Sequence, residues 1–492
     1  MATTNKSIYR LTKSKMLSLK QCTKKLYLDV YRKDLIQEDP GLQRIFDQGH
    51  QVGNVARSLY GEGPTLEISE GAAKVVEQTR KLIAEGYRGP IYEAAFLHDE
   101  VLVLADVVLV SNNGLRVIEV KSSTQVKDIN LFDCAVQYWV MKGAGYKSLD
   151  IALAHIDTGF IYKGDKSYRG LLKEVSVLNE VLGLQSDIPS MVRTAKVVLD
   201  GPEPVVRMSA HCDSPYECGF QHYCERPQPE FPVKILPRVG QLRWKLADEG
   251  ITDLMKVPDG RLKSPVHIMV AKASSEKSSW LNPGVAPILR GLPYPRYYLD
   301  FETIQFAVPI WKGTRPYEQL PFQWSCKIEG RSGETTAVNF LDLTGEAPMR
   351  SCAEQLLKTL GVGGPIVVYS GFEKKVISNL ADRYSDLSVA LKALIPRLYD
   401  LLPIAREHYY DYRMMGSWSI KKVLPTVCDD LDYNKLGSVR DGGAAQSAYH
   451  EAIQTADPKI KESLRIDMVS YCEQDAEAMV RTMRFLSKEN SV

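Results

Sequence analysis

Apolar and polar positions follow two different periods along the first 225 residues. In residues 41–60 apolar side chains recur at helical spacing, which predicts an amphipathic helix. Three runs rich in β-branched residues follow and predict strands at 91–96, 101–110 and 115–120. Asn112, Asn113 and Gly114 predict a hairpin turn between the last two strands. With a further helix expected at 130–143, this half predicts a small sheet with flanking helices.

The pattern changes at residue 226. Residues 226–290 are rich in proline and predict a helical connector, with a short helix that ends at Gly250. The preceding sequence LPRVG, at 236–240, is similar to a helix-hairpin-helix turn, which offers backbone N–H groups to phosphate, and a plain helical spacer fits equally well. Further strands are predicted at 297–301, 322–328, 337–343 and 366–369, with helices from Ala353, from Glu373 and at 466–486.

Together these elements predict a protein of the α/β (α+β) class with more than one domain. A chain of 492 residues exceeds what one hydrophobic core supports, and we expect domains at 1–225 and 291–492 joined by the connector. The net charge of +2 creates no general attraction for nucleic acid, so such a partner needs local basic patches, for example the lysines and arginines within 1–33.

The expected location is the cytoplasm, without a membrane, because the sequence contains neither an apolar run of about 18 residues nor a signal-peptide core. In that compartment the nine cysteines are expected to be thiols or metal ligands.

Three charged residues in the predicted sheet form the first candidate site. Asp106 lies in one strand, and Glu119 and Lys121 end the next, two residues apart and therefore on the same face. A paired hairpin brings Asp106 beside them. Two carboxylates bind a hard divalent cation, and a lysine orients or deprotonates an attacking water. Because isolated buried charges are costly, the grouping predicts a metal-dependent hydrolytic site.

The D…ExK pattern of these three residues resembles the core of the PD-(D/E)XK nucleases, and two further features resemble the RecB-like branch of that family. His50, on the helix before the sheet, would be a metal ligand beside the two carboxylates. Gln137 and Tyr138, on the helix after the sheet, would position the nucleic acid. The family's tyrosine follows the glutamine by four residues, where this chain has Met141. The resemblance implies a restriction-endonuclease-like domain that binds Mg²⁺ or Mn²⁺.

Four cysteines form the second candidate site. Cys212, Cys218 and Cys224 are evenly spaced among prolines and glycines, and Cys22 lies far upstream. Thiolates in such a loop suit a soft metal or an iron–sulfur cluster, with zinc as the alternative. The arrangement resembles the iron–sulfur subgroup of RecB-like nucleases, which includes the CRISPR-adaptation nucleases, and this resemblance implies that the four cysteines hold a 4Fe–4S cluster. The other five cysteines are expected to be core thiols.

A third candidate site lies in the C-terminal half. Asp300 and Glu302 project from one face of an apolar strand and repel each other unless a cation lies between them. Far downstream, Tyr471 and Asp475 are four residues apart and share a helix face. Between these pairs, Glu373 lies where a predicted strand runs into a helix.

This order resembles the DEDD exonucleases, the DnaQ-like branch of the RNase H-like fold. The first and last pairs match the D-x-E and Y-x-x-x-D motifs, and Phe372 with Glu373 matches the middle motif, where the family has Phe–Asp. The resemblance implies that the four carboxylates hold two ions while Tyr471 positions the attacking water. Asp400 is the reserve candidate for the middle acid.

The two halves together resemble a bacterial family of unassigned function, on the residues that follow the D-x-E strand, Pro316–Tyr317 and the segment PFQW at 321–324. We therefore expect a metal-dependent nuclease, in particular an exonuclease that prefers single-stranded ends, with DNA favoured over RNA. The alternatives are a nucleic-acid-binding scaffold whose catalytic sites have decayed, and a nuclease with one active site of the two.

Overall fold

A computed structural model describes residues 9–37, 40–225 and 227–488. The expected basic run at 1–33 therefore lies partly outside the described residues. The chain divides into two compact units: unit 1 comprises Met1–Pro227 and Phe306–Tyr317, and unit 2 comprises Gln228–Gln305 and Glu318–Val492. Most of the expected connector thus belongs to unit 2. Helices and mixed sheets occur in both units, which confirms the mixed α/β class.

Unit 1 contains a six-stranded sheet. In chain order its strands and helices are β1 (Leu11–Thr12), α1 (Lys13–Gln21), α2 (Thr23–Tyr31), α3 (Pro40–Tyr60), α4 (Ala72–Ala84), β2 (Gly89–His98), β3 (Val101–Ser111), β4 (Gly114–Lys121), α5 (Asp128–Gly143), β5 (Leu149–Ile156), β6 (Leu172–Ser176), α6 (Leu178–Gly183), α7 (Ile188–Asp200) and α8 (Gln221–Cys224). The strand order is β1-β3-β4-β5-β6, and β2 pairs with β3.

The predicted hairpin of unit 1 is confirmed. Strands β3 and β4 are antiparallel, and Ser111 pairs with Gly114 across a two-residue turn. Gly114 has a φ of +125°, and an added Cβ would lie 2.5 Å from the Ser148 carbonyl oxygen, so a side chain is excluded there. Helix α5, which follows the hairpin in sequence, buries Phe132, Val136 and Val140 in the hydrophobic core of unit 1.

Unit 2 contains a five-stranded sheet and a two-stranded one. Its elements are α9 (Gln241–Asp248), α10 (Pro265–Glu276), β7 (Ser279–Leu281), α11 (Val285–Arg290), β8 (Arg296–Ile304), β9 (Leu320–Glu329), β10 (Thr335–Leu341), α12 (Met349–Leu360), β11 (Ile366–Val368), α13 (Phe372–Arg383), α14 (Ser388–Leu394), β12 (Leu398–Asp400), α15 (Leu401–His408), β13 (Tyr409–Asp411), α16 (Ile420–Val427), α17 (Gly442–Gln454) and α18 (Pro458–Ser487). The larger sheet has the order β10-β9-β8-β11-β12.

Strand β8 lies at the centre of this sheet, antiparallel to β9 and parallel to β11. The long helix α18 packs against both β8 and β9. It begins at Pro458, eight residues before the predicted start, because Asp457 caps its first turn by accepting a 2.8 Å hydrogen bond from the Lys459 N–H. Within the described part of the chain, none of the helices has the length and apolar character needed to cross a membrane.

Candidate active sites

In unit 2, three predicted acids converge. Alternation along β8 puts Asp300 and Glu302 on one face and the buried Phe301 on the other. Helix α18 brings Asp475 to the same place, and one carboxylate oxygen from each acid lies within 4.8 Å of the other two. Asp300 and Asp475 are 175 residues apart in sequence, and the packing of α18 against β8 brings them together.

Burial perturbs the pKa of all three acids, and repulsion from neighbouring carboxylates adds to it at Asp300 and Glu302. Burial, followed by Asp475 and Glu302, raises the pKa of Asp300 well above its ordinary range. Burial and Asp475 raise the pKa of Glu302 to about 8, and burial raises that of Asp475. Three ionised carboxylates are therefore unfavourable here without a cation, and oxygen donors this close suit a hard divalent ion.

Two tyrosines lie beside Asp475. Tyr471 comes one helical turn before it on α18, and its hydroxyl lowers the pKa of the Asp475 carboxyl. The hydroxyl of Tyr433, which the sequence did not indicate, donates to Asp475 Oδ1. Above both rings lies the Lys421 ammonium, 4.7 Å from the Tyr471 centroid and 5.3 Å from that of Tyr433. The positive charge of this ammonium lowers the pKa of Glu302 and of Asp475 and so partly offsets the increase that burial causes.

Glu373 is the predicted middle acid, and it lies in the first turn of α13. Its side chain is buried, and Oε2 has no hydrogen-bond partner among the described residues. Burial raises its pKa to about 8. Glu373 is outside the 4.8 Å group but lines the same cavity as Asp300 and Asp475. The reserve candidate Asp400 caps α15, with its carboxylate accepting a 3.0 Å hydrogen bond from the Leu402 N–H.

A cavity of about 990 Å³ opens over these acids. Its wall carries the aromatic side chains of Tyr369, Phe372, Trp418 and Tyr471 and the basic side chains of Arg238, Arg406 and Lys421. Arg238 comes from the expected connector, whose Ile235 carbonyl approaches Gly416 so closely that an added Cβ would lie 1.7 Å from it. Aromatic and cationic side chains therefore lie around one cavity beside the carboxylate cluster.

In unit 1 the structure joins Glu119, Lys121 and Gln137. Lys121 Nζ donates to Glu119 Oε1 at 2.6 Å, and Gln137 Nε2 donates to Glu119 Oε2 at 2.7 Å. Two unpredicted residues complete the network: Lys13 Nζ lies 2.8 Å from Glu119 Oε1, and Asp133 Oδ2 lies 2.7 Å from Lys121 Nζ. Both lysines therefore bind the glutamate in this structure.

Asp106 lies beside this network. Its Oδ2 accepts a 2.7 Å hydrogen bond from the Val120 N–H. Burial and the Glu119 charge raise the pKa of Asp106 to about 7. Burial would also raise the pKa of Glu119, but Lys121 and Lys13 outweigh it and lower that pKa. The two acids therefore have opposite electrostatic environments, with Glu119 held ionised by the lysines.

His50 and Asp106 line one cavity of about 280 Å³, together with Glu93, which the sequence did not indicate. The β2–β3 ladder pairs residues on both sides of Glu93 and Asp106, which places these two opposite each other. Glu93 has a φ of +56°, a strained backbone conformation for a strand residue. Tyr138, in contrast, is packed in the hydrophobic core with Met141.

The four cysteines predicted to act together line a single small cavity in unit 1. Cys22 separates α1 from α2, Cys212 and Cys218 lie between α7 and α8, and Cys224 ends α8. Burial raises the pKa of these last three thiols. Among the described residues, the four cysteines do not form a group with three ligand atoms within 4.8 Å of one another.

The family described as "Domain of unknown function (DUF2779)" matches residues 297–419. This range contains Asp300, Glu302 and Glu373, and it ends before Tyr471 and Asp475. No curated protein matches the chain.

Proposed function

We propose that this chain is a metal-dependent nuclease, with the carboxylate cluster of unit 2 as its principal catalytic site. The observation that carries the proposal is the convergence of Asp300, Glu302 and Asp475 within 4.8 Å in a buried setting. Such a cluster is electrostatically unfavourable when ionised, and a divalent cation removes the conflict. When bound, Mg²⁺ or Mn²⁺ supplies an activated water and neutralises charge on the scissile phosphate.

The residues around the cluster have roles of their own. Asp300, Glu302 and Asp475 hold the cation, and Glu373 lines the same cavity as Asp300 and Asp475. Tyr471 orients the attacking water, while the hydrogen bond from the Tyr433 hydroxyl keeps the Asp475 carboxylate in place.

The cavity walls then select the polymer. Arg238, Arg406 and Lys421 contact backbone phosphates, and bases stack on the aromatic side chains beside them. Single-stranded ends are the favoured substrate, as the resemblance to the DEDD exonucleases implies. DNA is the favoured polymer.

Unit 1 supplies the second proposed nuclease site. His50, Asp106 and Glu119 hold a divalent cation, and Lys121 assists the attacking water. Two observations support these roles. The lysines keep Glu119 ionised, and Asp106 lines the cavity that also contains His50 and Glu93. Gln137 fixes the Glu119 carboxylate and thereby positions it.

We also propose that Cys22, Cys212, Cys218 and Cys224 hold a 4Fe–4S cluster. The donor set fits because four thiols face one cavity. Zinc is the alternative occupant, because it too is held by four thiolates. Such a cluster ties the N-terminal helices to the end of unit 1.

A cleavage assay with matched variants tests the unit 2 site. Glu302→Gln removes one charge of the cluster, and Glu346→Gln removes an exposed charge of the same unit. In a Lys121→Ala background, Mn²⁺-dependent shortening of a labelled single strand should be lost with Glu302→Gln and retained with Glu346→Gln. Binding of the strand without Mn²⁺-dependent cleavage by any of these proteins would favour the decayed scaffold.

A further inference from the structure

Unit 1 carries an exposed basic surface that contains none of the residues assigned above. We infer that this surface, the basic strip, binds the phosphate backbone of the nucleic acid cut at the Glu119–Lys121 site; the choice of partner rests on the proposed function. The strip comprises the exposed side chains of Lys163, Lys166, Arg169, Lys173 and Lys312.

The strip is assembled from two distant parts of the chain. Residues 160–173 cover most of the connection between β5 and β6 and the first two residues of β6, and Lys312 belongs to Phe306–Tyr317, the segment of unit 1 that follows β8 in sequence. The Tyr162 N–H donates to the Thr314 carbonyl at 3.0 Å, and the Gly313 N–H donates to the Tyr162 carbonyl at 2.7 Å. At Gly164 an added Cβ would lie 3.2 Å from the Lys312 Cβ, so the two backbones approach closely.

Aromatic packing holds the strip in one shape. The rings of Tyr162 and Tyr168 stack at 5.1 Å with an angle of 8° between their planes. The Tyr168 hydroxyl donates to the Pro309 carbonyl at 3.2 Å, and the Lys166 N–H donates to the Tyr162 hydroxyl at 3.1 Å. These contacts fix the backbone that carries the lysines, so less conformational entropy is lost when they bind a ligand.

The charge of the strip is unbalanced. Residues 160–173 contain one acid, Asp165, and residues 306–317 contain none. The Asp165 carboxylate accepts a hydrogen bond from the Ser167 N–H at 3.0 Å. In the described part of the chain, no ion pair is found for any of the five basic side chains. Since the whole chain has a net charge of only +2, this local excess is a specific feature that fits a polyanion.

The strip lies next to the carboxyl end of β4, the strand that carries Glu119 and Lys121. Strands β4 and β5 are parallel, and Lys121 pairs with His155 near their carboxyl ends. The chain leaves β5 at Ile156, whose N–H donates to the Ser123 carbonyl at 2.9 Å, and then forms the strip. From the other side, the Tyr317 hydroxyl donates to the Ser122 carbonyl. A phosphate backbone on the strip would therefore pass the carboxyl end of β4, the strand that carries Glu119 and Lys121.

The test measures binding separately from cleavage. Fluorescence anisotropy of a labelled 30-nucleotide single strand in EDTA, between 50 and 300 mM salt, compares wild type with Lys163→Glu/Lys312→Glu and with the milder Lys163→Gln/Lys312→Gln. The matched control is Lys142→Glu/Lys147→Glu, two exposed lysines beyond the opposite end of β5. We expect the strip variants to weaken binding roughly tenfold or more and to lower the salt slope by about one to two, with the control within about twofold.

Equal affinity and equal salt slope in the strip variants and wild type would overturn the inference, as would a wild type that binds no nucleic acid. Strip-dependent binding of an acidic polypeptide with the same affinity would overturn the assignment of the partner. The proposed function is tested separately. Strip-dependent binding without Mn²⁺-dependent cleavage would contradict the proposed nuclease activity and would still support the strip as a binding surface. The glutamine variant and a thermal unfolding curve for each protein exclude misfolding as the cause of lost binding.

Discussion

Replacing Asp300 by asparagine should stabilise the metal-free protein while abolishing activity at the unit 2 site. The substitution keeps the shape of the side chain and removes one of three carboxylate charges whose oxygens lie within 4.8 Å of one another. At an effective dielectric constant of about 20, two unit charges at this distance repel by about 3.5 kcal/mol. Because the raised pKa values leave the acids partly protonated near neutral pH, only part of this repulsion is relieved, and we expect a gain of about 2 kcal/mol.

Thermal unfolding in EDTA and in Mn²⁺ measures this effect. A gain of about 2 kcal/mol corresponds to roughly 4–8 °C for the unfolding of a unit of this size. The Asp300→Asn protein should unfold at higher temperature than wild type in EDTA, and Mn²⁺ should stabilise wild type much more than the variant. The exposed Glu346→Gln provides the control and should change neither value. Lower stability of Asp300→Asn in EDTA, with an undiminished response to Mn²⁺, would refute the reasoning.

The other predictions concern pH, the unit 1 site, Tyr433 and the cysteines. Burial raises the folded-state pKa of Glu302 and of Glu373 to about 8, above the ordinary 4.5, so their protonated forms favour folding; metal-free stability should fall as pH rises from about 5 to 8, and a pH-independent denaturation midpoint would contradict this. Lys121→Ala should abolish unit 1 cleavage and lower stability by about 3 kcal/mol, because Asp133 and Glu119 lose a buried partner, as denaturation with urea would measure. Tyr433→Phe should reduce the unit 2 cleavage rate roughly tenfold or more with the strand affinity unchanged, in single-turnover kinetics against binding isotherms. Cys212→Ser should remove the visible absorbance of the anaerobically purified protein and lower its melting temperature, while a spectrum equal to wild type would argue against the cluster.

Local sequence patterns predicted the parts of the fold and sites that depend on one element. The period of two along β8 suffices to put Asp300 and Glu302 on one face, and the period of 3.6 along α18 suffices for Tyr471 and Asp475. The β3–β4 hairpin was equally predictable from the sequence, because its turn residues and flanking β-branched runs are adjacent along the chain.

The residues that the sequence did not indicate reach the sites through tertiary packing. Lys13 comes from α1, which packs against α5, and Tyr433 comes from the region between α16 and α17. Neither belongs to a motif or a periodic pattern. The segment Phe306–Tyr317 follows β8 directly yet belongs to unit 1, and its apolar run gave no sign of which core it would join.

Digestion of end-labelled single-stranded DNA and RNA with Mn²⁺ tests the central claim most directly. Wild type, Lys121→Ala, Asp300→Asn and the double variant are compared after anaerobic purification. The two-site account predicts that each single variant loses a distinct part of the cleavage products and that the double variant, like wild type in EDTA, leaves both polymers intact. Cleavage by the double variant at the wild-type rate, or intact polymers with all four proteins, would contradict it.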